Sequence, residues 1–209
     1  MILDPTSFSH TERYKLAIGA VVPRPIAWVS TMDAEGGLNL APFSYFTCAA
    51  TEPLTVVFCP QIDRGTGRKK DTLVNIEAVP EFVVNFTNEA TAEVMNLSAT
   101  VLPRGQSEFD WAGVTPAAST TVRVPRVAEA PIAFECTLQQ IVVINDKPGG
   151  GAAVFGEVKA IYIDDAIYDA ERNYILLDKY QPIGRLSGNG YTRVTDAFVM
   201  ARIPPPTAE

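Results

Sequence analysis

Arg24–Phe46, RPIAWVSTMDAEGGLNLAPFSYF, joins a two-faced strand pattern to a polar turn and a second extended run. Ile26, Trp28 and Ser30 alternate with Ala27, Val29 and Thr31, the period of a strand with two different faces. Asp33–Gly37 then supplies a polar turn ending in two glycines, which accept positive φ. Extended character resumes from Leu40 to Phe46, with Pro42 and Ser44 inside the run. A proline has no N–H to give to a ladder, so this arm belongs at an edge, a bulge or a strand end. The pattern predicts a hairpin whose second arm is irregular. Irregular backbone beside a rigid strand leaves N–H groups free to meet a ligand.

Upstream of this hairpin, Thr6–Arg13 predicts a short helix and Leu16–Val22 a lead into the first strand. Downstream, the β-branched run Thr55–Cys59 reads as a buried strand. Gln61–Lys70 is a glycine-containing basic loop. Asp71 or Thr72 is a good helix N-cap, with Leu73, Ile76 and Val79 at helical spacing and Pro80 as the stop. Phe82–Phe86 predicts another strand, and Glu89–Ala99 a helix. Residues 100–131 are rich in Pro, Gly, Ser and Thr but contain Phe109, Trp111 and Val114, so they form an inserted excursion that packs. Ile132–Ile144 and Ala153–Ile163 pair as a second hairpin around the turn Asp146–Gly151. Tyr168–Tyr180 is short and mixed, Pro182–Tyr191 is a glycine-rich loop, and Ile203–Glu209 is a proline-containing tail. No repeat and no linker appears, so one domain over residues 1–209 is expected. Many strands, few helices and antiparallel hairpins argue for a closed or nearly closed barrel, which also removes exposed apolar edges.

The bulk numbers exclude several function classes. The net charge of -7 disfavours bulk nucleic-acid binding, which calls for a basic surface. The first residues, MILDPTSFSHTERYK, lack the basic start and apolar run of a secretory signal, and no stretch approaches a membrane span, so the cytoplasm is the expected location. Cys48, Cys59 and Cys136 are widely spaced with no CxxC, and they lie in apolar extended stretches, so small buried thiols are expected. The single histidine, His10, offers neither a metal-ligand spacing nor a catalytic triad and reads as a surface or packing residue.

Four of the 17 basic residues, Arg64, Arg68, Lys69 and Lys70, crowd one short loop of an otherwise acidic chain, just before a helix start. Free N–H groups and partial positive charge at a helix N-terminus favour a phosphate. Lys70 can neutralise it and the Thr72 hydroxyl can donate to it. A solvated loop before an ordinary Asp71 cap fits the residues equally well. Gly149–Gly151 lacks dinucleotide-loop spacing and reads as a hairpin turn.

The chain resembles the FMN-binding split-barrel proteins of the flavin reductase-like family. The matching pieces, in the family's order, are RPIAWVST (24–31), the polar turn, NLAPFSYF (39–46), KDTLVNI (70–76), EFVVNF (81–86), Met95–Ser98 and PIGRLSGNGY (182–191). Where many free-flavin reductases carry Gly-x-Thr after the turn, this chain has Leu38–Leu40, as in the flavoredoxin-like branch.

The resemblance implies a mainly β, six-stranded antiparallel Greek-key split barrel with flanking helices, usually a homodimer. It implies FMN as cofactor, NADH or NADPH as co-substrate, and a small-molecule acceptor. It leaves open a partner oxygenase, an FMN electron carrier of flavoredoxin type, and a reductase of activated alkenes or carbonyls. A flavin needs hydroxyl and amide partners along its ribityl chain, apolar walls, and N–H donors at the ring edge. Ser30, Thr31, Asn39 and Ser44 can serve the first need. Trp28, Phe43, Tyr45 and Phe46 can supply walls, although Trp28 and Phe43 fit plain core as well. The backbone from Ala41 to Phe46 can give the donors, and Arg68, Lys70, Asp71 and Thr72 the phosphate site. Arg185 and Tyr191, in the glycine-rich loop, are the expected catalytic pair covering the flavin. The alternative there is a surface loop with a solvated arginine.

Overall fold

A computed structural model of the chain describes residues 1–205. In chain order it runs through α1 (His10–Ala20), β1 (Ala27–Met32), β2 (Leu38–Phe43), β3 (Phe46–Thr51), β4 (Leu54–Phe58), α2 (Asp71–Ala78) and β5 (Glu81–Phe86). There follow α3 (Ala92–Leu97), α4 (Glu108–Ala112), the short pair β6 (Pro116–Ala117) and β7 (Arg126–Val127), and the long strands β8 (Ile132–Asn145) and β9 (Gly151–Ile163). The last part holds β10 (Tyr168–Asp169), β11 (Tyr174–Ile175), α5 (Leu177–Tyr180), β12 (Ile183–Arg185) and β13 (Tyr191–Arg193).

Seven strands form one antiparallel sheet in the order β2-β1-β5-β8-β9-β4-β3. Its two edge strands are consecutive in the chain. β2 ends at Phe43 and β3 begins at Phe46, so only Ser44 and Tyr45 separate them. Three peptide units reach about 11 Å at most. The edges must therefore lie close together, and the sheet curls into a barrel with a seam that has no ladder across it. This is the split barrel expected, with seven strands where six were expected. The expected second arm stops at Phe43, and β3 starts at Phe46 and continues past the arm to Thr51 as a separate strand paired with β4.

The interior is apolar. Val29, Val56, Phe58, Phe82, Val84, Cys136 and Val154 fill the barrel, each large side chain contributing roughly 1.5–3 kcal/mol by burial. Gly156 makes room for Phe82, since a Cβ there would stand 2.2 Å from the ring. Strand β1 is covered on both sides. Ala27 and Val29 face the barrel interior, whereas Trp28 joins Leu40, Met95, Phe109 and Val127 in a second core under the excursion. Pro42 pairs with Trp28 on the edge strand, where its missing N–H costs nothing to the ladder.

Several local expectations are corrected. Helix α1 runs through Leu16 to Ala20, because a capping box between Ser9 and Glu12 starts it and no proline intervenes before Pro23. The N-cap of α2 is Lys70, so Asp71 and Thr72 lie inside the first turn. Pro182–Tyr191 is part of a hairpin, β12 pairing with β13. The excursion buries Phe109 and Val114 but leaves Trp111 53% exposed. Cys48 is exposed on the edge strand β3 and Cys59 is half-buried, leaving Cys136 as the one buried thiol of the three. Among the described residues no helix is long and apolar enough to cross a membrane. Of the proline-containing tail, 206–209 lie outside the described residues.

Candidate functional site

The free edge of β2 organises the candidate site. The Leu40 N–H points away from β1 and donates to the Glu108 carboxylate at 3.0 Å. Alternation along an antiparallel strand then directs the N–H groups of Ala41 and Phe43 into the β1 ladder. Pro42 has none. The Cys59 N–H donates to the Tyr45 carbonyl, which fixes Phe46 opposite Phe58 as a pair that exchanges no hydrogen bond, so the Phe46 N–H turns away from β4. Of the Ala41–Phe46 backbone, the N–H groups of Ser44, Tyr45 and Phe46, at the seam, have no acceptor among the described residues.

Two recesses flank this edge. The first, about 130 Å³, lies between β2 and the start of α2, and is lined by Asn39, Ala41, Pro42, Phe43, Lys70 and Thr72 among others. Asn39 donates to the Thr72 hydroxyl oxygen at 3.0 Å, which leaves the hydroxyl proton free to donate. Among the described residues no side chain caps α2, so the first-turn N–H groups of Asp71 and Thr72 have no partner there. The second recess, about 380 Å³, lies at the seam among Ala17, Val21, Arg24, Ser44, Tyr45 and Phe46. Phe43 and Ser44 are adjacent in the chain, so the two recesses follow one another along the edge.

Trp28, Ser30 and Thr31 are fully buried and satisfied by the protein, which corrects their expected place against a ligand. The Trp28 indole donates to Ser98 Oγ at 2.8 Å. Ser30 donates to the Pro125 carbonyl at 2.7 Å and accepts from Asn85. Thr31 accepts from Asn75 at 3.1 Å. The reason is topological: β1 is flanked by two strands and covered on both faces, so its hydroxyls build the wall behind the site. The basic cluster also disperses. Lys69 pairs with Glu77 and Arg64 donates to Thr11, while the exposed Arg68 does not line the recess. Lys70 alone of the four lines it.

The side chains of Arg185 and Tyr191 are engaged within their own hairpin and with α3. The Arg185 guanidinium lies over the Tyr191 ring at 4.5 Å and donates to the Gly190 carbonyl. The Tyr191 hydroxyl bonds the Asn96 amide oxygen on α3 at 3.0 Å. Asn96 and Ser98 are two residues apart near the end of α3, so they point to nearly opposite sides. Asn96 meets the hairpin and Ser98 the first recess. Helix α3 therefore separates the hairpin from that recess.

Two residues were missed from the sequence. Arg24 is buried and makes four side-chain bonds: to Ser44 Oγ, to the Ile18 and Val21 carbonyls, and to the Leu186 carbonyl. It ties α1, the seam and the β12–β13 hairpin together. An arginine opening an apolar strand run was the available signal. Glu108 is a buried carboxylate at the first recess. Burial raises its pKa above the usual range, the Leu40 N–H opposes that rise in part, and the nearby Asp71 charge adds to it. It sits in the excursion, with no sequence link to β2 that could have revealed the contact.

Residues 19–183 match the flavin reductase like domain, and the chain belongs to that family. It is similar in structure to nitrilotriacetate monooxygenase component B from Bacillus cereus, at 31% identity and a TM-score of 0.90, covering 96% of this chain and 98% of that one. It is also similar to the 2-nitrobenzoate 2-nitroreductase NbaA of Pseudomonas fluorescens, at 35% identity and a TM-score of 0.87, each chain covered in full. The flavoredoxin of Desulfovibrio vulgaris shares the fold, at 18% identity and a TM-score of 0.73 over 87% of this chain and 92% of that one.

Proposed function

We propose that the protein is an FMN-dependent oxidoreductase that takes a hydride from NADH or NADPH and passes electrons to a small acceptor. One observation carries this reading. Along the free edge of β2, a small recess that holds Lys70 and Thr72 at the start of α2 is followed by a larger, mostly apolar recess where the N–H groups of Ser44, Tyr45 and Phe46 have no acceptor among the described residues. That is the order of needs along a flavin mononucleotide. Lys70, the Thr72 hydroxyl and the first-turn N–H groups of α2 hold the phosphate. Asn39 steadies Thr72 and meets the ribityl chain. Ser44, Tyr45 and Phe46 hold the polar edge of the ring, and Arg24 orients Ser44. When bound, FMN supplies the hydride chemistry; the protein's residues position it and exclude water.

Further parts of the reading rest on the same edge. Val21 lines the seam recess and is exposed, as are Tyr14, Leu16 and Val22 in the same segment of the chain. A second copy of the chain covers this surface, giving a homodimer with the flavin near the interface, and brings a partner's Arg185–Tyr191 hairpin within reach of the ring. The likeness to a monooxygenase component favours a partner oxygenase as consumer of the electrons. The likeness to a nitroreductase favours a nitro compound as direct acceptor.

Anaerobic titration tests this. FMN added to the purified protein binds with a change in fluorescence, and NADH or NADPH then abolishes the visible flavin absorbance. Binding without reduction would make the protein a carrier. No binding would overturn the reading.

A further inference from the structure

Beyond the first recess the cleft widens. A space of about 660 Å³ opens between the β1–β2 turn, the start of α2 and the excursion. This is within the size range of small-molecule sites. Asn39, Asp71 and Leu102 line both spaces, so the two are continuous through them. The larger one adds Asp33, Arg104, Gln106, Phe109, Asp110 and Trp111. Nothing in the flavin mononucleotide reading uses these groups.

Their chemistry is specific. Trp111 is 53% exposed beside the buried Phe109 on α4, an indole face with no ring of the protein stacked on it among the described residues. Exposed aromatics bordering a polar cleft stack well on a nucleobase. Asp110 is an acceptor of the kind that takes a ribose diol, and Asp33, whose Oδ1 accepts the N–H groups of Glu35 and Gly37 in its own turn, keeps Oδ2 for one. Arg104 has no ion-pair partner among the described residues and is the added cation for a second phosphate next to the one at Lys70. The carboxylates also repel a phosphate placed on the ribose, so a free 2′-hydroxyl is preferred.

We infer that the cleft beneath the excursion binds the adenosine monophosphate half of a dinucleotide, Trp111 stacking on the adenine and Arg104 meeting the second phosphate. The inference rests on the flavin site proposed above. Two dinucleotides carry this half: FAD, whose flavin half would occupy the β2 edge, and the nicotinamide reductant.

The experiment compares FMN, FAD and NADH on wild-type protein and on the Trp111→Ala and Trp111→Phe variants. Flavin affinities are read by fluorescence titration, and NADH by the KM for reduction of the FMN-loaded protein. If the half belongs to FAD, wild-type protein binds FAD more tightly than FMN. Trp111→Ala then weakens FAD by on the order of tenfold or more, Trp111→Phe restores most of it, and free AMP competes with FAD but not with FMN. If it belongs to the reductant, the flavin affinities are equal and unchanged, and Trp111→Ala raises the NADH KM by a similar factor, with NADPH the poorer substrate in wild type. Unchanged FAD affinity together with unchanged NADH KM in Trp111→Ala overturns the subsite and leaves the FMN site standing. Failure of wild-type protein to bind either flavin brings down both readings.

Discussion

Strands β1 and β2 lie side by side and carry similar side chains, yet they do opposite work. On β1, Trp28, Ser30 and Thr31 are fully buried and each polar atom has a protein partner. On β2 and the seam, Asn39 and Ser44 keep hydrogen-bonding capacity beside open recesses. The residue types barely differ. The difference is place: β1 sits between β2 and β5, while β2 is an edge. A hydroxyl on an interior strand is spent on the fold, and one on an edge remains available to a ligand.

The contrast can be broken by mutation, starting with the largest effect. Trp28→Ala empties a buried indole site and should cost about 3–5 kcal/mol of stability, measured by chemical denaturation; a loss under 1 kcal/mol would mean β1 is not the interior strand described. Lys70→Ala with Thr72→Ala should weaken FMN by about 2–4 kcal/mol, from charge-assisted bonds partly replaced by solvent. Unchanged affinity in a fluorescence titration would remove the phosphate from this recess. Ser30→Ala strips a donor from the Pro125 carbonyl and should cost about 1–3 kcal/mol of stability, with FMN affinity per folded molecule unaltered.

Smaller effects sharpen the comparison. The carboxyl of Glu108 binds its proton more tightly in the folded protein than its ordinary value of 4.5. Its contribution to stability is therefore complete below that value and is lost as pH rises through the folded pKa. Glu108→Gln should flatten the pH dependence of stability in that window, as followed by denaturation at a series of pH values, and an unchanged slope would place the titration elsewhere. Tyr191→Phe removes a hydroxyl bond at a half-exposed site and should cost less than about 1 kcal/mol. If the hairpin serves a neighbouring protomer, Tyr191→Phe and Arg185→Ala keep FMN but slow reduction or raise the KM for the nicotinamide. Wild-type rates in both would make the hairpin purely structural.

Much of the architecture could be read from local pattern. The two hairpins, the helix before Pro80 and the packed excursion follow from period-2 alternation, turn residues and a proline stop. The edge position of Pro42 follows from its missing N–H. What alternation could not decide was which hydroxyls face a ligand, because Ser30 and Ser44 look alike until sheet order is known. Charge was misleading in the same way: Arg64 and Lys69 share a loop with Lys70 but bond to Thr11 and Glu77, and Arg68 does not line the recess. Glu108 was illegible because its partner is distant, Leu40 lying 68 residues away, and Arg24 showed only as a charge opening an apolar run, its bond to Leu186 spanning 162 residues.

The unladdered seam also sets how the barrel breathes. Parting the wall between β5 and β8 means giving up a six-residue ladder. Beside the seam the guanidinium of Arg24, with four bonds, ties Ser44 to α1 and to the β12–β13 hairpin. The backbone amides of Arg24 and Arg185, each bonded to the other's carbonyl, are the nearest reporters of that opening. Their hydrogen exchange should run through a local opening, faster than that of Val83 and Val84, which waits for the sheet itself to come apart. The ligand edge is thus also the low-stability line of the molecule, and a flavin lying along it would slow exchange there first.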